Sequence, residues 1–237
     1  MDALAPFGTE IWLADGPQAD VAGFRYPTRM AVMRLACGLL VWSPVALTEA
    51  LRRDIAGLGE VRWLVAPNSL HHLFLRDWQD AFPDARLYAA PGLAARRPDL
   101  AIDAELGEAP VVEWAGELEH VLVRGNRITT EAVFFHRASG TVLFTDLLQQ
   151  FPPGWFRGWR ALVARLDLMT EPEPAVPRKF RLAFTDRRAA RAALERILVW
   201  PAERVVMAHG RPVERDGRAF IGRAFRWLLK PGAGRAG

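Results

Sequence analysis

The stretch Arg62–Phe74 reads RWLVAPNSLHHLF and leads from an apolar run into two adjacent histidines. The run RWLV predicts a buried strand, and Pro67 ends it. The residues from His72 to Ala81 have helical spacing. Adjacent side chains of a continuing strand point to opposite faces, whereas a turn between strand and helix lets neighbours converge. His71 and His72 are therefore candidate metal ligands; the alternatives are a plain turn or a helix start that happens to carry histidines.

Strand and helix patterns continue on both sides of this stretch. Strands are predicted at Glu10–Ala14, Arg29–Arg34, Gly38–Trp42, Arg86–Ala89, Val111–Trp114, Leu118–Arg124, Glu131–His136, Thr141–Thr145 and Val205–Ala208. Helices are predicted at Leu47–Leu58 with Thr48 as N-cap, at Asp186–Leu198, at Arg218–Leu229, and briefly in the segment PGLAARRP. The turn at Ser139-Gly140 predicts a β-hairpin.

Composition narrows the function classes. The chain has 237 residues, 51% of them apolar, which fits an ordinary globular domain with one large core. The net charge is only +4 and the arginines are dispersed, so no nucleic-acid partner is expected. The single cysteine, Cys37, excludes an internal disulfide and a cysteine-based zinc cluster, and its apolar surroundings predict a buried thiol.

The sequence also gives expectations about location. The N-terminal residues lack the charged and apolar regions of a signal peptide, and LACGLLVW, the longest apolar stretch, is too short to span a bilayer. We therefore expect a soluble cytoplasmic protein that acts on a small molecule and has no membrane partner.

Chemistry-bearing residues recur where predicted strands end. His71 and His72 follow RWLV, Asp146 follows TVLFT, and His209 follows VVMA. Strand ends at one edge of a sheet are where open sheets build sites. Three histidines and a carboxylate can hold a zinc or iron ion and leave room for water. The alternatives are a surface or capping role for each histidine and a helix-capping role for Asp146.

These motifs resemble the metallo-β-lactamase fold, and within that superfamily the domain of unknown function DUF4336. The matching segments are RWLVAPNSLHHLF, GELEHVLVRGN, GTVLFTDLL and RVVMAHGRP. The resemblance implies an α/β fold of the four-layer αββα type. We expect a single domain over residues 1–237, with an insertion rich in Trp and Pro at about 151–184.

The departures from the family motif are informative. The motif His-x-His-x-Asp-His reads Pro67 to His72 here, so both leading histidines are lost, and Asn126 stands at the later Gly-His position. In the family those three histidines hold one metal. The resemblance implies that the other metal keeps a full set of ligand-capable residues, His71, His72, Asp146 and His209. We therefore predict one divalent ion, zinc in the first place, with iron or manganese as alternatives.

Two further groups are candidates for the site. Glu131 starts a strand and is interpreted as a catalytic base, a ligand, a partner of a ligand, or a solvent-facing strand residue. In the insertion, Trp155, Trp159 and Arg160 are candidates to contact an anionic or aromatic substrate; alternatively the tryptophans only pack the insertion onto the core. The segment Phe151 to Pro177 is predicted to cover the mouth of the site.

The sequence thus predicts a mononuclear metal-dependent hydrolase of a small ester, thioester or related compound, with Asp146 orienting water or binding the metal. A metallo-β-lactamase-like binding or scaffold protein without catalysis is the alternative. A nucleic-acid enzyme is a third reading, supported only by the net charge.

Overall fold

A computed structural model describes residues 3–229, and two β-sheets form its centre. The first sheet contains seven strands: β1 (Ala5–Gly8), β2 (Ile11–Val21), β3 (Phe24–Leu35), β4 (Gly38–Trp42), β5 (Val61–Ala66), β6 (Arg86–Ala89) and β7 (Ala104–Glu105). They are hydrogen-bonded in chain order. The strands β1 to β4 form an antiparallel meander, and β4 to β7 run parallel to one another.

The second sheet contains four strands: β8 (Leu118–Val123), β9 (Glu131–His136), β10 (Thr141–Phe144) and β11 (Arg204–Met207). Their order is β11-β10-β9-β8. The predicted hairpin is confirmed, because β9 and β10 pair antiparallel, whereas β10 and β11 pair parallel. Parallel neighbours end at the same edge of a sheet, so the residues that follow β10 and β11 lie side by side.

Seven α-helices accompany the sheets within residues 3–229: α1 (Glu49–Leu58), α2 (Leu75–Ala81), α3 (Leu93–Arg96), α4 (Trp159–Leu166), α5 (Arg178–Ala183), α6 (Arg187–Val199) and α7 (Gly217–Ala224). The predicted cap of α1 is confirmed, since the Thr48 side chain accepts a hydrogen bond from the Leu51 amide. Asp186 caps α6 in the same way through the Ala189 amide. None of these helices is long and apolar enough to cross a membrane.

Three apolar cores establish the layer order. Between the sheets, one core contains side chains of both sheets, such as Trp42 of β4 and Phe134 of β9. The alternate residues of the same strands face outward, as the two-residue period of a strand requires. On the outer face of the first sheet Val41 packs with residues of α1, α2 and α3, and on the outer face of the second Phe135 packs with residues of α6 and α7. The predicted four-layer αββα sandwich is confirmed.

A small fourth core belongs to the insertion. It joins Phe151, Phe156, Ala164 and Met169 to Tyr26 of β3. The insertion therefore packs against the β2–β3 hairpin of the first sheet, although it follows a strand of the second.

Four local predictions were wrong. The Val111–Trp114 segment contains a 3-10 helix at Val112–Trp114, because its amides bond back within the segment while the Trp114 ring is buried against Trp63 and Tyr88. Cys37 is exposed, because it lies in the tight turn between β3 and β4. The last helix ends at Ala224 rather than Leu229, and α2 begins at Leu75 rather than His72.

Candidate metal centre

Three side chains from three strand ends converge between the two sheets. His71 follows β5, Asp146 follows β10 and His209 follows β11, and one potential ligand atom from each lies within 4.8 Å of the others. His71 Nε2 is 3.4 Å from Asp146 Oδ2, and His209 Nε2 is 3.4 Å from Asp146 Oδ1. Among the described residues this is the one cluster of three or more His, Cys, Asp or Glu side chains with metal-ligand spacing.

Hydrogen bonds behind the cluster fix which nitrogen of each imidazole faces it. His209 Nδ1 is 2.7 Å from the carbonyl oxygen of Pro27, which can only accept, so Nδ1 carries the proton. His71 Nδ1 is 2.8 Å from Ser43 Oγ. The Ser43 hydroxyl in turn donates to the carbonyl of Arg29, which leaves its oxygen free to accept from His71. In the neutral rings both Nε2 atoms therefore present a lone pair to the carboxylate.

This donor set fits a metal ion. The 3.4 Å contacts exceed the N–H···O hydrogen-bond range of about 2.7–3.2 Å, and unprotonated Nε2 atoms have nothing to donate to Asp146. Two ligands at about 2.0–2.1 Å from a tetrahedral ion lie about 3.4 Å apart, which is the spacing found here. Imidazole Nε2 with a carbonyl or hydroxyl partner behind it is the usual arrangement of a metal-binding histidine.

Burial and mutual contacts shift the pKa values of His71 and Asp146. Burial lowers the pKa of His71 below its ordinary value, although the neighbouring Asp146 opposes this effect. For Asp146, burial would raise the pKa, but hydrogen bonds and charge interactions from the His71 and His209 rings, which act when Nε2 carries a proton, hold it well below its usual range. Neutral imidazoles and an ionised carboxylate are the forms that bind divalent ions.

Asn68 organises the loop that carries His71. Its side chain is fully buried, and its Oδ1 accepts hydrogen bonds from the amides of Leu70 and His71 at 2.8 and 3.0 Å. Its Nδ2 donates to Asp146 Oδ2 at 2.8 Å and to Thr145 Oγ1 at 2.9 Å. One amide thus ties the loop after β5 to the loop after β10 and orients both ligand candidates.

Glu131 lies behind the cluster and does not belong to it. Its carboxylate is fully buried and accepts three backbone hydrogen bonds: Oε1 from Thr145, and Oε2 from Asp146 and Leu147, all at 2.8–3.0 Å. Burial, followed by the charge of Asp146, raises the pKa of Glu131 to about 7, while the backbone donors oppose the shift. Of the roles considered from sequence, this geometry supports a partner that positions Asp146; a solvent-facing role is wrong.

His72 lies outside the cluster. Its Nδ1 is 3.0 Å from a guanidinium nitrogen of Arg97, which can only donate, and the same nitrogen bonds to the His72 carbonyl. Burial, followed by the charges of Arg96 and Arg97, lowers the pKa of His72. The turn after β5 directs the His71 ring toward Asp146 and the His72 ring toward Arg97. The structure therefore brings together three of the four predicted ligands.

A cavity of about 660 Å³ opens above the cluster. His71, Asp146 and His209 lie on its wall, together with His72 and side chains from the β2–β3 hairpin and the insertion. The insertion contributes Val163 and Lys179, among others, so it forms one side of the cavity.

The three predicted substrate contacts of the insertion lie elsewhere. Trp155 Nε1 donates to the carbonyl of Arg25, and Arg160 Nε donates to the carbonyl of Gly23. The Arg160 guanidinium also lies over the Trp159 ring, 4.6 Å from its centroid. None of the three lines the described cavity, and their contacts hold the insertion onto the β2–β3 hairpin, as the packing alternative expected.

Sequence reasoning missed Ser43 and Asn68. Asn68 occupies an unspecified position of the family motif, yet an Asn that begins a turn after a strand is typical of a side chain that bonds to the next amides. Ser43 follows a buried strand and has a positive φ of 53°, and no sequence signal indicated its contact with His71.

Comparison with solved structures shows the same fold over nearly the whole chain. A metallo-β-lactamase from Pontibacter korlensis superposes with a TM-score of 0.62 at 11% identity, covering 95% of this chain and 97% of that one. The metallo-β-lactamase from Hirschia baltica gives 0.63 at 10% identity, covering 97% and 98%. FIM-1 from Pseudomonas aeruginosa in its mono-zinc form gives 0.62 at 12% identity, covering 96% of each chain. At these identities the likeness concerns the fold alone.

Comparison with curated proteins finds no match. The family model described as "Domain of unknown function (DUF4336)" matches residues 9–155, which is more than half of the chain and includes His71 and Asp146. The chain therefore belongs to the DUF4336 family and has the metallo-β-lactamase fold.

Proposed function

We propose that the protein is a mononuclear metal-dependent hydrolase of a small ester, thioester or related carbonyl compound. The observation that carries the proposal is the cluster of two imidazole Nε2 atoms and one ionised carboxylate on the wall of a cavity. His71, Asp146 and His209 would hold one divalent ion, zinc in the first place. A two-histidine, one-carboxylate set is used for catalytic zinc and, in other folds, for iron.

The residues at the lost ligand positions support one ion rather than two. Ser69 Oγ lies 3.2 Å from Thr129 Oγ1, and Pro67 has no side-chain ligand atom. Asn126 Nδ2 donates to the carbonyl of Phe180, and its Oδ1 accepts from the Ile128 amide. These side chains are engaged within the protein. The fold accommodates such a state, since FIM-1 is described in a mono-zinc form.

The chain's own residues set up the chemistry. A bound divalent ion would lower the pKa of a water molecule to about 7 and polarise a carbonyl oxygen. Ser43 and the Pro27 carbonyl favour the tautomer of each neutral ring in which Nδ1 carries the proton and Nε2 offers a lone pair. Asn68 holds Asp146 in one orientation, so the carboxylate is placed before a substrate enters. In this proposal Glu131 is a positioning residue, because its oxygens are engaged by three amides.

The experiment is a hydrolysis assay with the full chain, loaded with zinc and then stripped with a chelator. A panel of aryl esters, thioesters and a lactam is tested against wild type and Asp146→Asn. Asp77→Asn is the matched control, because Asp77 is an exposed residue in the first turn of α2.

We expect turnover that disappears on chelation, returns with zinc and falls to the uncatalysed rate in Asp146→Asn but not in Asp77→Asn. Turnover that survives both chelation and Asp146→Asn would contradict the proposal. Stoichiometric zinc without turnover of any compound would favour the scaffold alternative.

A further inference from the structure

The cavity above the cluster has an unusual mouth. Val21 and Leu73 are each 58% exposed, and Ile128 and Val163 are each 40% exposed, yet all four line the same cavity. They come from four separate segments: β2, the loop before α2, the loop before β9, and helix α4. Single exposed apolar residues are ordinary on a protein surface, but convergence around one opening indicates an apolar ligand.

The interior of the cavity is also lined by apolar side chains. Below the rim the walls carry large apolar side chains such as Phe24, Phe74, Met169 and Phe180. At about 660 Å³ the cavity lies within the range of about 300–1,000 Å³ that small-molecule sites occupy. The apolar surface leads from the rim to the His71, Asp146 and His209 cluster, so a chain that fills it would place one end at the ligand atoms.

The charges on the wall cancel. Apart from the cluster and His72, the charged residues that line the described cavity are two acids, Asp20 and Asp167, and two bases, Arg96 and Lys179. The inner base, Lys179, is not free for a substrate anion: its Nζ donates to the Tyr26 hydroxyl at 2.9 Å and lies 3.5 Å from Asp167 Oδ2. The other base, Arg96, is exposed to solvent, so a ligand carboxylate or phosphate would meet no unpaired cation in the buried part of this wall.

We infer that the cavity binds a neutral, largely apolar acyl or alkyl chain, whose uncharged carbonyl end lies at the metal cluster. As a statement about substrate, the inference rests on the proposed hydrolase function; as a statement about ligand binding, it stands on the cavity alone. It replaces the anionic substrate expected from the Trp and Arg content of the insertion, since Trp155, Trp159 and Arg160 do not reach the cavity.

The test is calorimetric binding of N-methyl alkanamides with acyl chains of four, six and eight carbons, and of the carboxylates of equal length. Amides mimic the ester carbonyl and resist hydrolysis. Binding is measured with the full chain both loaded with zinc and stripped by a chelator. We expect the dissociation constant of the amides to fall about fourfold per added methylene in both forms. In the stripped form the amide should bind more tightly than the carboxylate of the same length.

Helix α4 supplies matched variants. Val163 lines the cavity, whereas its neighbour Leu162 is exposed and does not. Val163→Asp should weaken binding of the eight-carbon amide at least tenfold, and Leu162→Asp should leave it unchanged within twofold. Ile128→Asp provides a second cavity variant on a different segment and should reproduce the effect of Val163→Asp.

Absence of chain-length dependence, tighter binding of carboxylates to the stripped protein, or equal effects of Val163→Asp and Leu162→Asp would each overturn the inference. The same measurements can contradict the proposed hydrolase function without contradicting the apolar site, and the reverse. Chain-length-dependent binding without any hydrolysis supports the apolar site and contradicts the hydrolase. Hydrolysis with no preference for chain length supports the hydrolase and overturns the apolar site.

Discussion

Replacement of Glu131 tests how the buried interior positions the candidate metal centre. Its two oxygens accept hydrogen bonds from the amides of Thr145, Asp146 and Leu147, and no part of the side chain is exposed. Glu131→Ala leaves three buried N–H groups without an acceptor. At about 1–3 kcal/mol for each unsatisfied donor, the loss is about 3–9 kcal/mol. This is comparable to the whole free energy of unfolding of an ordinary domain, about 5–15 kcal/mol, so Glu131→Ala should scarcely fold.

Glu131→Gln is the informative variant. The amide oxygen can replace Oε2 and keep the Asp146 and Leu147 donors, but the amide nitrogen then faces the Thr145 N–H. One donor is lost, so the free energy of unfolding should fall by about 1–3 kcal/mol. Zinc affinity should fall about 10–100-fold, because the loop that carries Asp146 is no longer held in place.

The assay is urea denaturation and zinc titration at pH 8, where the Glu131 carboxylate is ionised despite its pKa of about 7. Glu105→Gln, on the exposed side of β7, is the matched control and should change neither quantity. Wild-type stability in Glu131→Gln, or equal stability of the Gln and Ala variants, would refute the reasoning. Unchanged zinc affinity in a destabilised Glu131→Gln would refute the positioning role.

Three further predictions concern the histidines and their partners. His72→Ala should keep zinc affinity within about threefold, whereas His71→Ala should abolish zinc binding, because only His71 reaches the cluster; a zinc titration that shows equal losses would contradict this placement. Ser43→Ala should weaken zinc binding about 10–100-fold by freeing His71 Nδ1, with little change in thermal unfolding; unchanged affinity would remove Ser43 from the site. Burial lowers the pKa of His136 from 6.5 to about 4, so the unfolded chain takes up a proton first as the pH falls and stability declines from pH 6.5 to about 4. His136 should account for about 3 kcal/mol of this decline. Urea denaturation at pH 7 and pH 4 should therefore show a decline in the free energy of unfolding that is smaller by this amount in His136→Gln than in wild type; an equal decline in both would contradict the assignment.

The strand-end positions of the site could be predicted from sequence because chain direction decides them. β10 and β11 are parallel neighbours, so the residues after them, Asp146 and His209, lie at the same edge of the second sheet. The end of β5 lies at the facing edge of the first sheet, which brings His71 within reach. Apolar patterning located these strand ends, and the resemblance to the metallo-β-lactamase fold implied that they converge.

The direction of each histidine ring could not be predicted in this way. Whether His71 or His72 faces the cluster depends on the turn after β5, which the Asn68 side chain shapes through its bonds to the following amides. It also depends on Arg97, distant in sequence, which binds the His72 ring. These are single side-chain contacts between separate segments, and hydrophobic periodicity carries no information about them.

The position of the insertion could not be predicted either, because it also depends on contacts between separate segments. Its tryptophans and arginines indicated a substrate-binding surface, but Trp155 and Arg160 bond to backbone carbonyls of the β2–β3 hairpin. That hairpin extends well beyond the predicted Glu10–Ala14 and Arg29–Arg34 strands, because Gly16 and Pro17 did not end β2. With the hairpin underestimated, no partner for the insertion was evident.

The central claim is that one metal ion binds at His71, Asp146 and His209. Elemental analysis of native full-length protein, prepared without chelators, tests it most directly when a His71→Ala, His209→Ala double variant is measured beside it. The account predicts close to one equivalent of a divalent transition metal in wild type and close to none in the double variant. A content near two, a content near one that survives the double change, or a wild-type content near zero after incubation with zinc would contradict it.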